Sequence, residues 1–434
     1  MSRVALVGEN SIGYINALID IWNNGDCAVL LDWRIPYKTA YEMMIEAEVR
    51  KCYIEERLYN EIKEEINDTI DYIQFQKQSE SANLLPQYIY QKFNENYSRD
   101  EAVVVYSSGT TGCSKGVVLS HFAINTNADA IIEYMKLNRD DCVYIAKTLS
   151  HSSTLTGELM VALKAKIKLV IAPTIVPPRY IMKCIEKFKV SIICLNPTLL
   201  FLSCQEIMKI KYDISSLKAI YVSGSILSEK LYIEAHSVLC NLPIYNVYGL
   251  SEAGPRVSAQ RSDCCLSNSV GRAIRGVDIR IVNENGMEVK RGERGIIHVN
   301  TPCLYSGYIR GKEKHLPLYR DWLNTGDIGY IDDNGEIHVV DRIDDVIIIN
   351  SHKIYPTDIE EIVLRHPDVT DCSVICSDTN VLLCEYVTNS NTDISNELSL
   401  LCRKKLSINE VPSKFKRVES IIRNLNGKKI RRQK

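Results

Sequence analysis

A short stretch, Tyr106-Ser-Ser-Gly-Thr-Thr-Gly-Cys-Ser-Lys-Gly116, has the residue types of a phosphate-binding loop. Small residues allow backbone N–H groups to approach an anion closely, and glycines allow the positive φ angles that turn these groups inward. The hydroxyls add further donors, and Lys115 adds a point charge suited to phosphate. The candidate phosphate ligands are therefore the small residues Ser107, Ser108, Gly109, Thr110, Thr111 and Gly112, together with Lys115.

Two more common kinds of loop contain similar residues. A Walker A loop requires the pattern G-x-x-x-x-G-K-[ST], and the register from Gly109 to Gly116 does not fit it. An ordinary Ser/Gly-rich surface loop has the same composition and stays an alternative. The stretch alone therefore predicts phosphate binding but does not identify the nucleotide.

The flanking residues predict the elements that would position this loop. The β-branched run 102–106 before it is typical of a buried strand. After it, apolar residues at 124, 128, 131, 132 and 135 recur at helical spacing, and Ser120 could cap that helix. The expected order is strand, loop, lysine and helix.

Alternating strand and helix patterns continue on both sides of the loop. Strands are expected at 4–7 and 27–31 with a helix between them, which implies a right-handed crossover and a parallel sheet. Residues 42–100 look helical and then loop-like. Further buried strands are predicted near 141–146, 168–172, 191–195, 217–222 and 244–248. Open sheets of this kind bind ligands at the carboxyl ends of their strands.

The composition sets bounds on the protein class. A chain of 434 residues is expected to form two or three domains. Its formal net charge of −2 favours neither nucleic acid nor an anionic membrane as a general partner. The 15 cysteines include no CxxC pair, and free thiols without a signal peptide favour the cytoplasm. No apolar run is long enough to predict a membrane span.

The loop resembles that of the acyl-adenylate-forming superfamily, which includes acyl- and aryl-CoA ligases, adenylation domains and luciferases. Asn246-x-Tyr248-Gly249-x-Ser251-Glu252 is similar to a second motif of that family, and Gly427-Lys428 to the motif with its catalytic lysine. The chain departs from the family pattern at Ser114, where proline is usual, and at Ser351, where glycine is usual. Asn424-Leu-Asn426 also replaces the usual P-x-T-x before the lysine.

The resemblance implies a role for each matching residue. ATP would be held by the phosphate-binding loop, with Tyr248 stacked on the purine and Ser251 donating to the α-phosphate. Glu252 would hold Mg²⁺ against phosphate oxygens. The implied catalytic residues are Lys428, Glu252, Ser251 and His151, the last as a wall or gate of the acyl pocket. The other implied ligands are Ser223, Gly224, Ser225, Asn246, Gly249, Asp327 and Arg342 for the nucleotide and acyl group, and Lys353 in the loop near the pantetheine tunnel.

The resemblance also implies the architecture. The expected fold is α/β, with a large amino-terminal domain of βαβ units and mixed sheets at 1–343 and a small α+β lid domain at 344–434. Asp344 would be the hinge about which the lid rotates between two half-reactions. Within the lid, Thr357-Asp-Ile-Glu360 has the pattern of a capping box that opens a helix. Relatives usually carry several dozen residues before the first strand, so the amino-terminal subdomain is expected to be shortened.

The implied reaction is ATP-dependent activation of a carboxylic acid to an acyl-adenylate, followed by transfer to coenzyme A or to the phosphopantetheine arm of a carrier protein. Amino-acid-activating relatives place an Asp near His151, and Leu149-Ser-His-Ser-Ser153 contains none, which favours an aryl or fatty acid. Two alternatives stay open. One is an amino-acid-adenylating enzyme with an atypical pocket, and the other is a non-catalytic nucleotide-binding regulatory protein derived from a ligase.

Overall fold

The structure is a computed structural model. It describes residues 1–66, 69–79, 81–97, 100–107, 115–240, 242–264, 268–309, 318–319, 321–349, 352–377, 381–424 and 427–431. The buried strands predicted between 141 and 248 are confirmed, and their observed ends lie within two residues of the predicted ones. The observed elements follow, with strands numbered β1 to β25 and helices α1 to α12 in chain order.

The strands of the first half of the chain are β1 Arg3–Val7, β2 Cys27–Leu31, β3 Lys51–Glu55, β4 Asp71–Phe75, β5 Asn83–Leu84, β6 Glu101–Ser107, β7 Lys115–Ser120, β8 Cys142–Ile145, β9 Lys168–Ile171, β10 Ile192–Leu195, β11 Ala219–Val222 and β12 Ile244–Gly249. The later strands are β13 Arg256–Ala259, β14 Arg272–Ala273, β15 Asp278–Val282, β16 Gly295–Asn300, β17 Gly307–Tyr308, β18 Leu318–Tyr319, β19 Trp322–Ile331, β20 Ile337–Arg342, β21 Ile347–Ile349, β22 His352–Ile354, β23 Val369–Cys376, β24 Leu382–Thr388 and β25 Lys414–Arg417.

The α-helices are α1 Ile12–Asn23, α2 Tyr37–Glu46, α3 Glu56–Ile62, α4 Gln87–Lys92, α5 His121–Met135, α6 Ser152–Thr154, α7 Val161–Ala165, α8 Pro178–Phe188, α9 Pro197–Lys209, α10 Glu229–Val238, α11 Pro356–Leu364 and α12 Ser395–Lys405. A π-helical segment, Leu155–Met160, joins α6 to α7, and 3₁₀ turns lie at Ser251–Ala253 and Ile343–Asp345.

Two large mixed sheets form the centre of the molecule. The first has the strand order β17-β7-β6-β2-β1-β3-β4, and the second has the order β14-β13-β12-β11-β10-β8-β9-β5. In the second sheet β8, β10, β11 and β12 run parallel, so their carboxyl ends lie along one edge. The strands β8, β10 and β11 are buried, apolar runs, as expected of a parallel sheet that is covered on both faces. The candidate site is built at that edge.

A third sheet, β15-β16-β19-β18 with β20 paired to β19, precedes a separate small unit. This unit contains the β21–β22 hairpin and the three-stranded sheet β23-β24-β25, together with α11 and α12, which contact that sheet. Its apolar core consists of residues between 354 and 402 and is distinct from the clusters beneath the larger sheets. The predicted domain boundary between residues 343 and 344 is compatible with this arrangement and stays a prediction.

Two properties bear on the predictions from composition. Within the described ranges, no helix combines the length and apolar character that crossing a membrane requires. The described cysteines are free thiols.

The structure corrects the predicted surroundings of the phosphate-binding loop. A strand, β7, follows the loop and pairs antiparallel with β6, so the loop joins the two strands of a hairpin. The predicted helix begins only after β7, where the Ser120 side chain does accept from the backbone N–H of Ala123 at 3.1 Å. Small residues in a loop do not reveal whether the next apolar residues form a strand, and this is why the sequence does not predict β7.

Two further predictions were wrong. Residues 42–100 contain the strands β3 and β4, which extend the first sheet, because their apolar residues are hidden among many charged ones. The capping-box pattern predicts that Thr357 caps a helix, but α11 begins at Pro356 and Thr357 lies in its first turn. The Thr357 hydroxyl instead donates to Asp341 Oδ1 at 2.9 Å.

Candidate active site

A cavity of about 280 Å³ opens at the carboxyl edge of the parallel strands. The small carboxyl-terminal unit lines one side of it, and the ends of β11, β12 and β20 and the middle of β19 contribute to the other sides. Of the residues predicted to bind the nucleotide or to act in catalysis, this cavity is lined by Gly224, Ser225, Asn246, Tyr248, Gly249, Asp327, Arg342 and Lys428. The fold thus brings together residues that are far apart in the chain.

The carboxylate of Asp327 is fixed from several sides. A Thr-Gly turn positions it, because its backbone N–H donates to Thr325 Oγ1 at 3.0 Å and Gly326 has a φ of +72°. One carboxylate oxygen accepts from Tyr248 at 2.5 Å, and the other accepts from Arg342 at 3.0 Å. Charge-assisted bonds of this kind are the stronger class of hydrogen bond. The carboxylate is thus held as an acceptor, which suits ribose hydroxyls.

Tyr248 takes part in this arrangement through its hydroxyl, a contact that the motif does not predict. Burial and the neighbouring Asp327 raise its pKa well above the ordinary value, so the hydroxyl stays a donor. The residue lines the cavity, and the stacking of its ring on a purine stays a prediction. Gly249 follows it at a point where a side chain would strike the Pro255 carbonyl.

Lys428 reaches the cavity from a tight turn of the small unit. Its backbone N–H donates to Asn424 Oδ1 at 3.0 Å, and Gly427 has a φ of +82°. Gly427 packs against Asn196 and Thr198 of the large unit, where a Cβ would lie 3.3 Å from the Asn196 amide nitrogen. Burial, together with Arg342, lowers the pKa of the Lys428 ammonium below that of an ordinary lysine. The protonation of Lys428 therefore depends on the charges that surround it.

A buried ionic network lies next to this lysine and joins the two units. Arg431 donates to Asp341 of β20 at 2.5 Å and to Glu360 of α11 at 3.0 Å. Lys429 also donates to Glu360, at 2.7 Å. Burial alone would raise the pKa of Glu360, but Lys429 and Arg431 hold it below the ordinary value. Arg431 therefore connects the lysine-bearing turn to both units.

Ser251 and Glu252 lie in the 3₁₀ turn after β12. The hydroxyls of Ser251 and Ser152 are 2.8 Å apart, which brings the segment that follows His151 next to Ser251. The Glu252 carboxylate accepts from the Tyr308 hydroxyl at 2.9 Å. The Lys115 ammonium lies 5.2 Å from the centre of the Tyr308 ring, within the range of a cation–π contact. Tyr308 therefore links Lys115 to Glu252.

The donor set around Glu252 fits the predicted magnesium ion. Mg²⁺ is commonly bound through one or two carboxylates together with substrate phosphates and water. Glu252 supplies one such carboxylate, and Tyr308 donates to one of its two oxygens. No group of three or more His, Cys, Asp or Glu side chains within the described residues forms an alternative metal site.

Replacing Tyr308 with phenylalanine should therefore weaken the use of magnesium while keeping the aromatic ring. Loss of a hydrogen bond to a metal-ligating carboxylate typically costs about 10- to 100-fold in metal affinity. We expect the Mg²⁺ concentration that half-saturates ATP–pyrophosphate exchange to rise by roughly tenfold, near the lower end of that range. Tyr59→Phe, on α3 and outside the cavity lining, is the control. An unchanged magnesium dependence in Tyr308→Phe would remove Tyr308 from the site.

Asn246, Ser223 and Lys353 are also predicted as ligands, and they lie in different surroundings. Asn246 is buried, and its amide donates to the Asn268 carbonyl at 2.9 Å. Ser223 follows β11, and its hydroxyl lies 3.3 Å from the Lys147 ammonium. Lys353 forms an exposed ion pair with Glu284 and does not line the cavity, so its role in the pantetheine tunnel stays a prediction.

Three other predictions concern the edges of the site. His151 precedes α6 and does not line the cavity, so its gating role stays a prediction. Asp344 lies exposed in the 3₁₀ turn that joins the two units, which is compatible with a hinge. Ser107 ends β6, and Ser108, Gly109, Thr110, Thr111 and Gly112 lie outside the described residues.

Several residues of this region are not predicted from the sequence. Tyr305-Ser-Gly-Tyr308 resembles a further motif of the family that is mostly scaffold, and this resemblance does not indicate the contact of Tyr308 with Glu252. No motif gives Asp341 a role, Glu360 appears only as the last residue of the capping-box pattern, and Arg431 looks like part of a basic tail. One available signal is that Lys429 and Arg431 lie within three residues of Lys428, because clustered cations require nearby carboxylates if they are buried.

The chain is similar to several known proteins. Residues 1–309 match the family described as AMP-binding enzyme. A 2-succinylbenzoate–CoA ligase of Bacillus mycoides is 27% identical over 438 residues, covering 99% of this chain and 87% of the relative. A 4-coumarate–CoA ligase of Narcissus pseudonarcissus is 28% identical over 288 residues, covering 64% of this chain and 52% of the relative.

A solved structure extends the comparison to the whole fold. The O-succinylbenzoate coenzyme A synthetase of Bacillus subtilis, in complex with ATP and magnesium ion, matches with a TM-score of 0.83 at 21% identity. The match covers 99% of this chain and 88% of that one. The predicted fold class is therefore confirmed, and the predicted enzyme class is the one to which the named relatives belong. Because the family match spans 309 of the 434 residues and includes the β12 motif, the chain belongs to the AMP-binding enzyme family.

Proposed function

We propose that this enzyme joins an aryl or fatty carboxylic acid to a thiol in two steps, with coenzyme A as the acceptor. In the first step the acid's carboxylate attacks the α-phosphorus of ATP, giving an acyl-adenylate and releasing pyrophosphate. In the second step the thiol attacks the acyl carbon and AMP leaves. The named relatives are CoA ligases for aromatic acids, which supports both the aryl preference and the acceptor.

One observation carries the proposal. Lys428 of the small unit lines the same cavity as Asp327 and Arg342 of the large unit. Asp327 and Arg342 suit ribose hydroxyls, so the lysine is positioned for the neighbouring α-phosphate and the attacking carboxylate. The Lys428 ammonium at this position reduces the repulsion between the α-phosphate and the attacking carboxylate. Orientation of reacting groups can supply roughly 7–11 kcal/mol of the barrier, and preorganised charges add to it.

Each other residue has a part in the first step. Ser251 donates to the α-phosphate, and Lys115 with the phosphate-binding loop holds the departing pyrophosphate. Glu252 would hold a magnesium ion, which would neutralise phosphate charge when bound. The Tyr248 hydroxyl and Arg342 keep Asp327 oriented toward the ribose.

Product analysis tests the proposal. With ATP, an aromatic acid such as a hydroxycinnamate or a succinylated benzoate, and coenzyme A, we expect AMP, pyrophosphate and an acyl thioester in equal amounts. Pantetheine in place of coenzyme A separates a small thiol acceptor from a carrier protein. Formation of ADP and phosphate, or hydrolysis independent of any acid, would contradict the proposal.

A further inference from the structure

A second charged cluster lies beside the cavity and has no part in the chemistry described so far. Lys147 follows β8 by two residues, and Ser223 follows β11 by one. Because β8, β10 and β11 are parallel neighbours, both residues lie at the same sheet edge as the cavity. The Lys147 ammonium is 3.3 Å from Ser223 Oγ, and the next residue, Gly224, lines the cavity. This cluster therefore borders the candidate site.

The charges of the cluster do not balance. Glu158 is completely buried, and its carboxylate lies 3.3 Å from the Lys147 ammonium. Arg256 is also buried, packs over Gly157 and donates to the Tyr134 hydroxyl at 2.9 Å. Among the residues that the structure describes, Lys147 has no second carboxylate at ion-pairing distance, and Arg256 has none. Lys147 pairs with Glu158, so the cluster contains two largely buried cations and one carboxylate.

The excess of positive charge in this cluster increases near neutral pH. Burial raises the pKa of Glu158 to about 7, despite the opposing effects of Lys147 and Arg256. The carboxyl group is then protonated in part of the molecules, and the cluster carries more positive charge still. An unpaired charge away from water is costly unless a partner of opposite sign is supplied.

The exposure of the two partners decides which of them a ligand can reach. The Glu158 side chain has no accessible surface, whereas about 15% of the Lys147 side chain is exposed. A ligand can therefore meet the ammonium and cannot meet the carboxylate. Lys147 lies outside the cavity lining, and its contact with Ser223 places it next to the lining residue Gly224. The ligand group that suits this position is an anion.

We infer that Lys147 binds a second carboxylate on the acid substrate, so that the enzyme activates dicarboxylic acids. The inference rests on the proposed function and narrows its substrate class.

Matched pairs of acids test the inference. Each pair consists of a dicarboxylic acid and its mono-amide at the distal carboxylate, compared by kcat/KM in ATP–pyrophosphate exchange. A charged group that loses its bonding partner costs roughly 10- to 100-fold. We expect the dicarboxylate to be favoured by that factor in the wild type, and Lys147→Met to remove the preference by raising KM for the dicarboxylate.

Three further variants make the test specific. Lys147→Arg keeps the charge and should keep most of the preference. Lys147→Met combined with Glu158→Gln removes both members of the buried pair, so neither charge is left without the other, and it should fold while still losing the preference. Lys166→Met, which alters an exposed lysine, is the control.

These measurements distinguish failure of the dicarboxylate inference from failure of the proposed ligase function. Exchange with the mono-amides that equals or exceeds exchange with their dicarboxylate partners would overturn the inference and leave the ligase proposal standing. An unchanged preference in the double variant would also overturn it. Absence of exchange with every acid would overturn the proposed function itself.

Discussion

Replacing Lys428 with alanine should lower acid-dependent ATP–pyrophosphate exchange by roughly 100- to 1,000-fold, the usual effect of removing a group that stabilises developing charge. The residue lines the cavity together with Asp327 and Arg342. The reaction of a preformed acyl-adenylate with thiol should change far less, because that step does not need the lysine near the α-phosphate.

Lys416→Ala is a suitable control for this variant. Lys416 belongs to the same small unit, and its exposed side chain pairs with Glu385 at 3.2 Å, outside the cavity lining. It should keep wild-type exchange. Wild-type exchange in Lys428→Ala would exclude the lysine from the first step.

The pH dependence of ATP–pyrophosphate exchange in the wild type should report the ionisation of Lys428. In the proposed mechanism Lys428 acts as an ammonium, so exchange should fall as pH rises through its pKa. Burial and Arg342 lower that pKa. The alkaline limb should therefore lie below the value of about 10.4 for an ordinary lysine, and the residual activity of Lys428→Ala should lack it.

The second large effect is expected at Asp341, which acts as a positioning residue. Its carboxylate accepts from Arg431 at 2.5 Å and from the Thr357 backbone N–H at 3.0 Å, so it joins β20 to the small unit. Breaking a buried ion pair costs about 3–5 kcal/mol. Because Glu360 still holds Arg431, we expect Asp341→Asn to reduce exchange by a smaller factor, roughly 10- to 100-fold.

The two half-reactions separate this effect from simple loss of stability. Asp341→Asn should spare the reaction of a preformed adenylate with thiol. The Asp341–Arg431 pair holds the turn that carries Lys428, and in the proposed mechanism the second step proceeds after the small unit has rotated away. Asp344→Pro should do the reverse, sparing exchange and depressing thioester formation, if Asp344 is the hinge. Equal losses in both half-reactions for both variants would contradict this division of roles.

Short motifs are sufficient to predict much of the site. Tyr248 to Glu252, Asp327, Arg342 and Lys428 each have a residue type and a spacing that match the motifs of the family. The structure brings Tyr248, Asp327, Arg342 and Lys428 into one cavity. Their convergence depends on the parallel strands, whose continuous apolar runs are also visible in the sequence.

The features that the sequence does not predict depend on contacts between distant segments. Thr357 has the pattern of a helix cap, yet its hydroxyl binds Asp341, because the small unit packs against β20. Tyr308 lies in a motif that looks like scaffold, and its contact with Glu252 exists because β17 pairs with β7. Local propensity cannot report such pairings, since the partners are not neighbours in the chain.

The proposed function is tested most directly by ATP–pyrophosphate exchange in the wild-type enzyme, measured with a panel of aryl, fatty, dicarboxylic and amino acids. We expect labelled pyrophosphate to enter ATP only when a suitable acid is present, with a preference for acids that lack an α-amino group. Lys428→Ala should retain only a small fraction of this exchange. Binding of ATP without exchange for any acid would contradict the proposed function and favour a regulatory protein.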